Sequence, residues 1–106
     1  MLAPELIDRL GLALTRARTH GTMVSLVLVH GDAQTATLLR ENMSEDHTVA
    51  RYEADIVAVV AEHPCGDAKP IVERIRRVVP AKAGWYTDDG RSRVHEMIFR
   101  AEATLI

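Results

Sequence analysis

The chain has 106 residues, 47% of them apolar, and a formal net charge of -2. That length suits a single domain, residues 1–106, and its core must be mostly Leu, Val, Ile, Ala and Met because aromatics make up only 4%. The charge offers no general attraction to nucleic acid or to an anionic membrane, no apolar run reaches transmembrane length, and the start lacks a basic region followed by an apolar one, so a cytoplasmic protein is expected.

Residues 4–19 are expected to form a helix. Pro4 suits its first turn, Leu6, Ile7, Leu10, Ala13, Leu14 and Ala17 make one apolar stripe, and Gly21 is a natural stop. Leu12 lies off that stripe, as an exposed residue or as part of a contact with another subunit. Residues 22–30 predict a strand whose apolar run does not alternate, as in a central strand covered on both faces. Asp32 is an N-cap for a second helix that reaches about Met43, with Ala36, Leu39 and Met43 on one side. Thr48–Tyr52 and Asp55–Ala61 predict a β-hairpin joined at Glu53-Ala54. It has no Gly or Asn for a tight two-residue turn, so a looser or bulged turn is expected.

Pro64-Cys65-Gly66-Asp67 is a loop. The lone Cys65 excludes an internal disulfide, and with His63 it makes only a two-ligand fragment of a metal site. Asp67 caps a third helix with Pro70 in its first turn and Ile71, Val72, Ile75, Val78 and Val79 on its buried side. Its other side carries Lys69, Arg74, Arg76 and Arg77, a solvated face or a contact for an acidic partner. Residues 81–86 predict a last strand, Asp88-Asp89-Gly90 a turn, and Ser92 a cap for a closing helix that buries Val94, Met97, Ile98, Ala101 and Leu105. Without its end helices the order is β-α-β-β-α-β, an α+β ferredoxin-like core with an added N-terminal and C-terminal helix.

The run Arg51-Tyr52-Glu53-Ala54-Asp55-Ile56-Val57 resembles the hairpin signature of GGDEF (diguanylate cyclase) domains, Arg-Tyr-Gly-Gly-Asp-Glu-Phe. The approach Asp46-His47-Thr48-Val49-Ala50, the helix Glu73-Arg74-Ile75-Arg76-Arg77 and the ending Arg100-Ala101-Glu102-Ala103-Thr104-Leu105 are similar to the same family in order and spacing. The resemblance implies a nucleotidyl-cyclase-like ferredoxin core, a place in bacterial signalling, and a site where carboxylates hold divalent metal against a triphosphate.

The departures from that pattern imply that the chemistry is gone. The glycines that let backbone approach the nucleotide are Glu53 and Ala54, and Glu53 adds charge that repels phosphate. Asp55 keeps the first acidic position of the hairpin, Ile56 replaces the second, and Val57 follows in place of the usual Phe. The first-strand metal position is occupied by His30, with Asp32 two residues on. Between Asp32 and Asp55 there is no room for the family's guanine-reading segment, and its phosphate-holding Lys and Arg would lie beyond Ile106. Ser44 and His47 stand where an inhibitory Arg-x-x-Asp product site would be, which disfavours cyclic di-GMP binding.

The resemblance therefore implies a degenerate, shortened GGDEF-like domain that is not an enzyme. It is expected to need no cofactor and to act through a protein partner or as a homodimer. The alternative is a non-catalytic nucleotide or metal sensor at His30, Asp32 and Asp55, which lie near one another if the hairpin runs beside the first strand. Against it stands the plain reading of Asp32 as a cap, Asp55 as a turn residue and His30 as solvent-facing. His20, His47, His63 and His95 show no paired metal spacing and are expected to be surface or satisfied residues. Neither a phosphate-loop motif nor a Gly-x-Ser-x-Gly elbow occurs.

Overall fold

The computed structural model describes residues 4–43, 47–64 and 66–105. Along them run α1 (Pro4–His20), β1 (Met23–His30), α2 (Ala33–Asn42), β2 (Thr48–Glu53), β3 (Ile56–His63), α3 (Lys69–Val78), β4 (Ala83–Asp88) and α4 (Val94–Ala103). The strands form one antiparallel sheet in the order β2-β3-β1-β4. This is the ferredoxin-like arrangement that the element order predicts, with α1 and α4 added.

The unbroken apolar run of β1 has the expected cause: residues 24–29 are all buried because helices cover both faces of the sheet. Val24, Leu26 and Leu28 pack with Leu6, Leu10, Ala13 and Leu14 of α1 and with Met97, Ile98 and Ala101 of α4. Val27 and Val29 face the opposite layer, where Ala36 and Leu39 of α2 meet Val72 and Ile75 of α3. Each fully buried Leu or Val in these layers contributes about 1.5–3 kcal/mol of transfer free energy. Among the described residues, no helix is long and apolar enough to cross a membrane.

Three local expectations need correction. First, β4 spans Ala83–Asp88, shifted from 81–86. Asp88 reads as a turn residue in sequence, yet it pairs with Val24 and is buried. Its carboxylate accepts from the Gly90 N–H (2.8 Å), the Ser92 N–H (3.0 Å) and the Ser92 hydroxyl (2.8 Å), which offsets the desolvation of the charge. Second, with Ser92 so engaged, Arg93 becomes the N-cap of α4, and its N–H donates to the Glu96 carboxylate at 3.3 Å. Third, Ala68 holds the N-cap position of α3, while Asp67 accepts from the Lys69 N–H one residue further in.

The end of α4 docks tightly on β4. A Cβ on Gly84 would lie 2.5 Å from the Leu105 nitrogen, so only glycine permits that approach. Thr104 Oγ1 accepts from the Trp85 N–H at 2.7 Å, satisfying backbone on the outer edge of the sheet that would otherwise be open to pairing.

Candidate functional site

The signature residues form the β2–β3 hairpin at one end of the sheet. Arg51 pairs with Val57 and Glu53 with Ile56, with a register irregularity between Arg51 and Glu53. Ala54 and Asp55 make the turn, one residue beyond the expected Glu53-Ala54, because Glu53 pairs with Ile56 and extends β2. A tight type I′ turn needs positive φ at both central residues, but among the described residues only Gly21, Gly66 and Gly90 have positive φ. The irregularity at Tyr52 therefore absorbs the twist, as the missing Gly and Asn predict. The Arg51 guanidinium donates to the Ala54 carbonyl at 2.7 Å and closes the turn.

The end of β1 lies alongside. His30 is the register partner of Ile56, and the Gly31 N–H donates to the Asp55 carbonyl at 2.8 Å. So β1 does bring His30, Asp32 and Asp55 to the same end of the sheet. Their side chains are otherwise employed or face water. Asp32 accepts from the Gln34 N–H (3.0 Å) and the Thr35 N–H (3.2 Å) as the N-cap of α2. Those bonds, that from Thr35 foremost, hold its carboxyl below the usual range. His30 and Asp55 are exposed. Among the described residues, no three His, Cys, Asp or Glu side chains gather closely enough to hold a metal ion.

The other signature positions divide by face. Glu53 and Ala54 are exposed, Ile56 is half-buried against the α1/α4 core, and Val57 is buried in the α2/α3 layer. The Ile56 side chain is thus a packing element where the signature carries a carboxylate. Tyr52 is buried in the α1/α4 core, and its hydroxyl donates to Glu102 of α4. Burial, and then the Glu102 carboxylate, raise the phenol pKa above its ordinary value. This link between the hairpin and the closing helix is not visible in sequence, where residues 52 and 102 are merely two polar-capable positions far apart.

At the opposite end of the sheet, Ser25 is fully buried. Its hydroxyl lies 2.7 Å from His63 Nε2 and 2.8 Å from Thr87 Oγ1. A buried Ser–His contact resembles a nucleophile–base pair, but the serine oxygen has no access for a substrate; the chain is a satisfied polar core. Beside it Arg16 holds Glu62 through two bonds of 2.8 and 2.6 Å. His47 is half-buried and borders a hollow of about 290 Å³ with Arg9 and Arg40, whereas Ser44 and Cys65 lie outside the described residues. On α3 the four basic residues are exposed, and the Arg76 guanidinium stacks on Trp85 at 5.8 Å.

No family model matches the chain, and no curated protein matches it in sequence. Solved structures do match in fold. The FimX GGDEF domain from Pseudomonas aeruginosa superposes with a TM-score of 0.78 at 18% identity, over 95% of this chain and 83% of that one. A sensory box/GGDEF family protein from Caulobacter crescentus CB15 gives a TM-score of 0.80 at 15% identity, over 94% of this chain and 86% of that one. The four-stranded sheet between two pairs of helices, with its hairpin beside the end of β1, is therefore the fold of a GGDEF domain.

Proposed function

We infer that this chain is a degenerate GGDEF-like domain without cyclase activity, and that it works as a protein–protein interaction or regulatory module in bacterial signalling. The observation that carries this reading is the chemistry of the hairpin: Glu53 ends β2, Ala54 opens the turn, and Ile56 packs an apolar side chain against the α1/α4 core. Metal-assisted attack on a triphosphate needs oxygen ligands for a hard cation and room for phosphate against backbone. A carboxylate at Glu53 and a methyl at Ala54 oppose the second, and an aliphatic Ile56 withdraws a ligand from the first. The role that remains for a well-packed scaffold is contact with another protein.

The test is incubation of purified protein with GTP and magnesium or manganese. The expected result is no cyclic dinucleotide. Turnover that disappears in Asp55→Ala overturns the reading. Thermal shift with GTP, cyclic di-GMP and divalent metals separates the sensor alternative: a rise of several degrees with one ligand, abolished by Asp55→Ala, assigns sensing instead.

A further inference from the structure

The charge of this chain is unevenly placed. Residues 67–82 hold Lys69, Arg74, Arg76, Arg77 and Lys82 against Asp67 and Glu73, a balance of +3. The remaining 8 basic and 13 acidic residues give the rest of the chain -5. Most of the cationic excess lies on α3. Its inner side buries Val72 and Ile75, and its Lys and Arg side chains are all exposed. None of them takes part in an ion pair, since those among the described residues are Arg16–Glu62 and Arg91–Asp89. Arg76 and Arg77 sit in the last turn, where they also offset the carbonyl end of the helix. That role does not extend to Lys69 in the first turn, to Arg74, or to Lys82 beyond the helix. A face that only has to stay wet is served as well by mixed signs.

An aromatic ring adjoins this face. Trp85, the chain's only tryptophan, is half-buried on the edge strand β4, against the α2/α3 core. The Arg76 guanidinium lies 5.8 Å from its ring centroid, so apolar ring and basic helix form one surface. Lys69 stands two turns before Arg76 on the same flank of α3, and Arg77 follows Arg76. Trp and Arg are the residue types that dominate binding energy at protein contacts. The ring supplies apolar area, and the guanidinium supplies a fork that fits a carboxylate.

The charge pattern selects the occupant. A nucleic acid or an anionic membrane extends past the patch and meets the -5 on the rest of the molecule. A short acidic segment meets the patch alone. α3 has 10 residues and is about 15 Å long, a length that about five residues of extended chain span. We propose that the outer side of α3, with Trp85, is a docking surface for a short acidic segment of a partner protein. Carboxylates of that segment pair with Lys69, Arg76 and Arg77, and an apolar residue covers the open part of the Trp85 ring. Glu73, the carboxylate among these cations, opposes the contact. The proposal rests on the reading of this chain as a module that works by protein contact, and it gives the partner its chemistry.

The test is titration of the full chain with a short synthetic peptide of Asp and Glu around one Leu, followed by Trp85 fluorescence. A saturable change in emission is expected, weakening as salt is raised from about 0.05 to about 0.5 M. The same peptide with Asn and Gln in place of its acids should give none. Arg77→Glu should weaken binding roughly 10-fold or more, and Glu73→Gln should tighten it about 2-fold. Arg18→Glu makes the same change of net charge on α1 in the other layer, and should leave binding within about 2-fold of the parent. Circular dichroism should not change in any of them, because all three side chains are exposed. No saturable change, an equal response to the neutral peptide, or equal weakening by Arg18→Glu and Arg77→Glu overturns the proposal. So does tighter binding, dependent on Arg77, of single-stranded RNA or of phosphatidylserine vesicles. Absence of peptide binding in a chain that forms no cyclic dinucleotide overturns this inference alone. GTP turnover lost in Asp55→Ala overturns the module reading, whatever the peptide does.

Discussion

The turn at Asp88–Ser92 and the turn at Glu53–Ile56 both place carboxylates at strand ends of one sheet, and they use them in opposite ways. Asp88 is buried and accepts three hydrogen bonds from its own loop. Gly90 packs beneath α1 with φ of 99°, where a Cβ would lie 2.7 Å from the Arg18 nitrogen and 2.8 Å from the Leu14 oxygen. Glu53 and Asp55 face water, and at Asp55 only the backbone carbonyl is held. One turn is fixed by satisfied polar groups and close packing. The other is held by its register and by bonds to the Ala54 and Asp55 carbonyls, so the Glu53 and Asp55 side chains are expected to matter little to the fold.

The strongest way to break this contrast is Gly90→Ala. It places a methyl group against the backbone of α1 at a φ that L-residues avoid, and should cost about 3–4 kcal/mol, more than about 10 °C in Tm by thermal denaturation. Next is Asp88→Ala, which removes a charged acceptor from three donors and should cost about 2–3 kcal/mol in urea titration. Burial pushes the Asp88 carboxyl up, but the Ser92 and Gly90 bonds outweigh it and hold the group below its ordinary value. A carboxyl so lowered stabilises the fold above its unfolded pKa of about 3.9, and that contribution disappears as pH falls through the folded value. The difference in stability between parent and Asp88→Ala should therefore be largest at neutral pH and narrow as pH falls below the unfolded carboxyl value of about 3.9.

Tyr52→Phe tests the buried side of the hairpin. Loss of the bond to Glu102 should cost about 1 kcal/mol and leave the sheet unchanged by circular dichroism. The smallest effect is expected for Asp55→Ala, within about 0.5 kcal/mol of the parent. A large destabilisation there would show that the hairpin turn is as constrained as that at Asp88, and the contrast would fail.

Much of this was legible in the chain. The unalternated residues of β1 announced two covered faces, the absence of Gly and Asn at Glu53-Ala54 announced an irregular turn, and the apolar stripe of α1 already left Leu12 outside the core. The resemblance of Arg51–Val57 to a known signature was legible because those positions are contiguous along one hairpin. Less visible was Asp88, whose local composition signals a turn while its pairing with Val24 extends the strand. The engagement of Ser92 with Asp88, which moved the helix cap to Arg93, was hidden for the same reason.

By itself the sequence determined the elements and their order, since periodicity and local turn chemistry act over a few positions. Only the tertiary structure decided that Tyr52 bonds Glu102, that Ser25, His63 and Thr87 satisfy one another, and that Asp32 is committed to its helix. Each of these joins residues distant in the chain. Such pairings depend on the order and register of strands and on which face each helix covers, which local pattern does not encode.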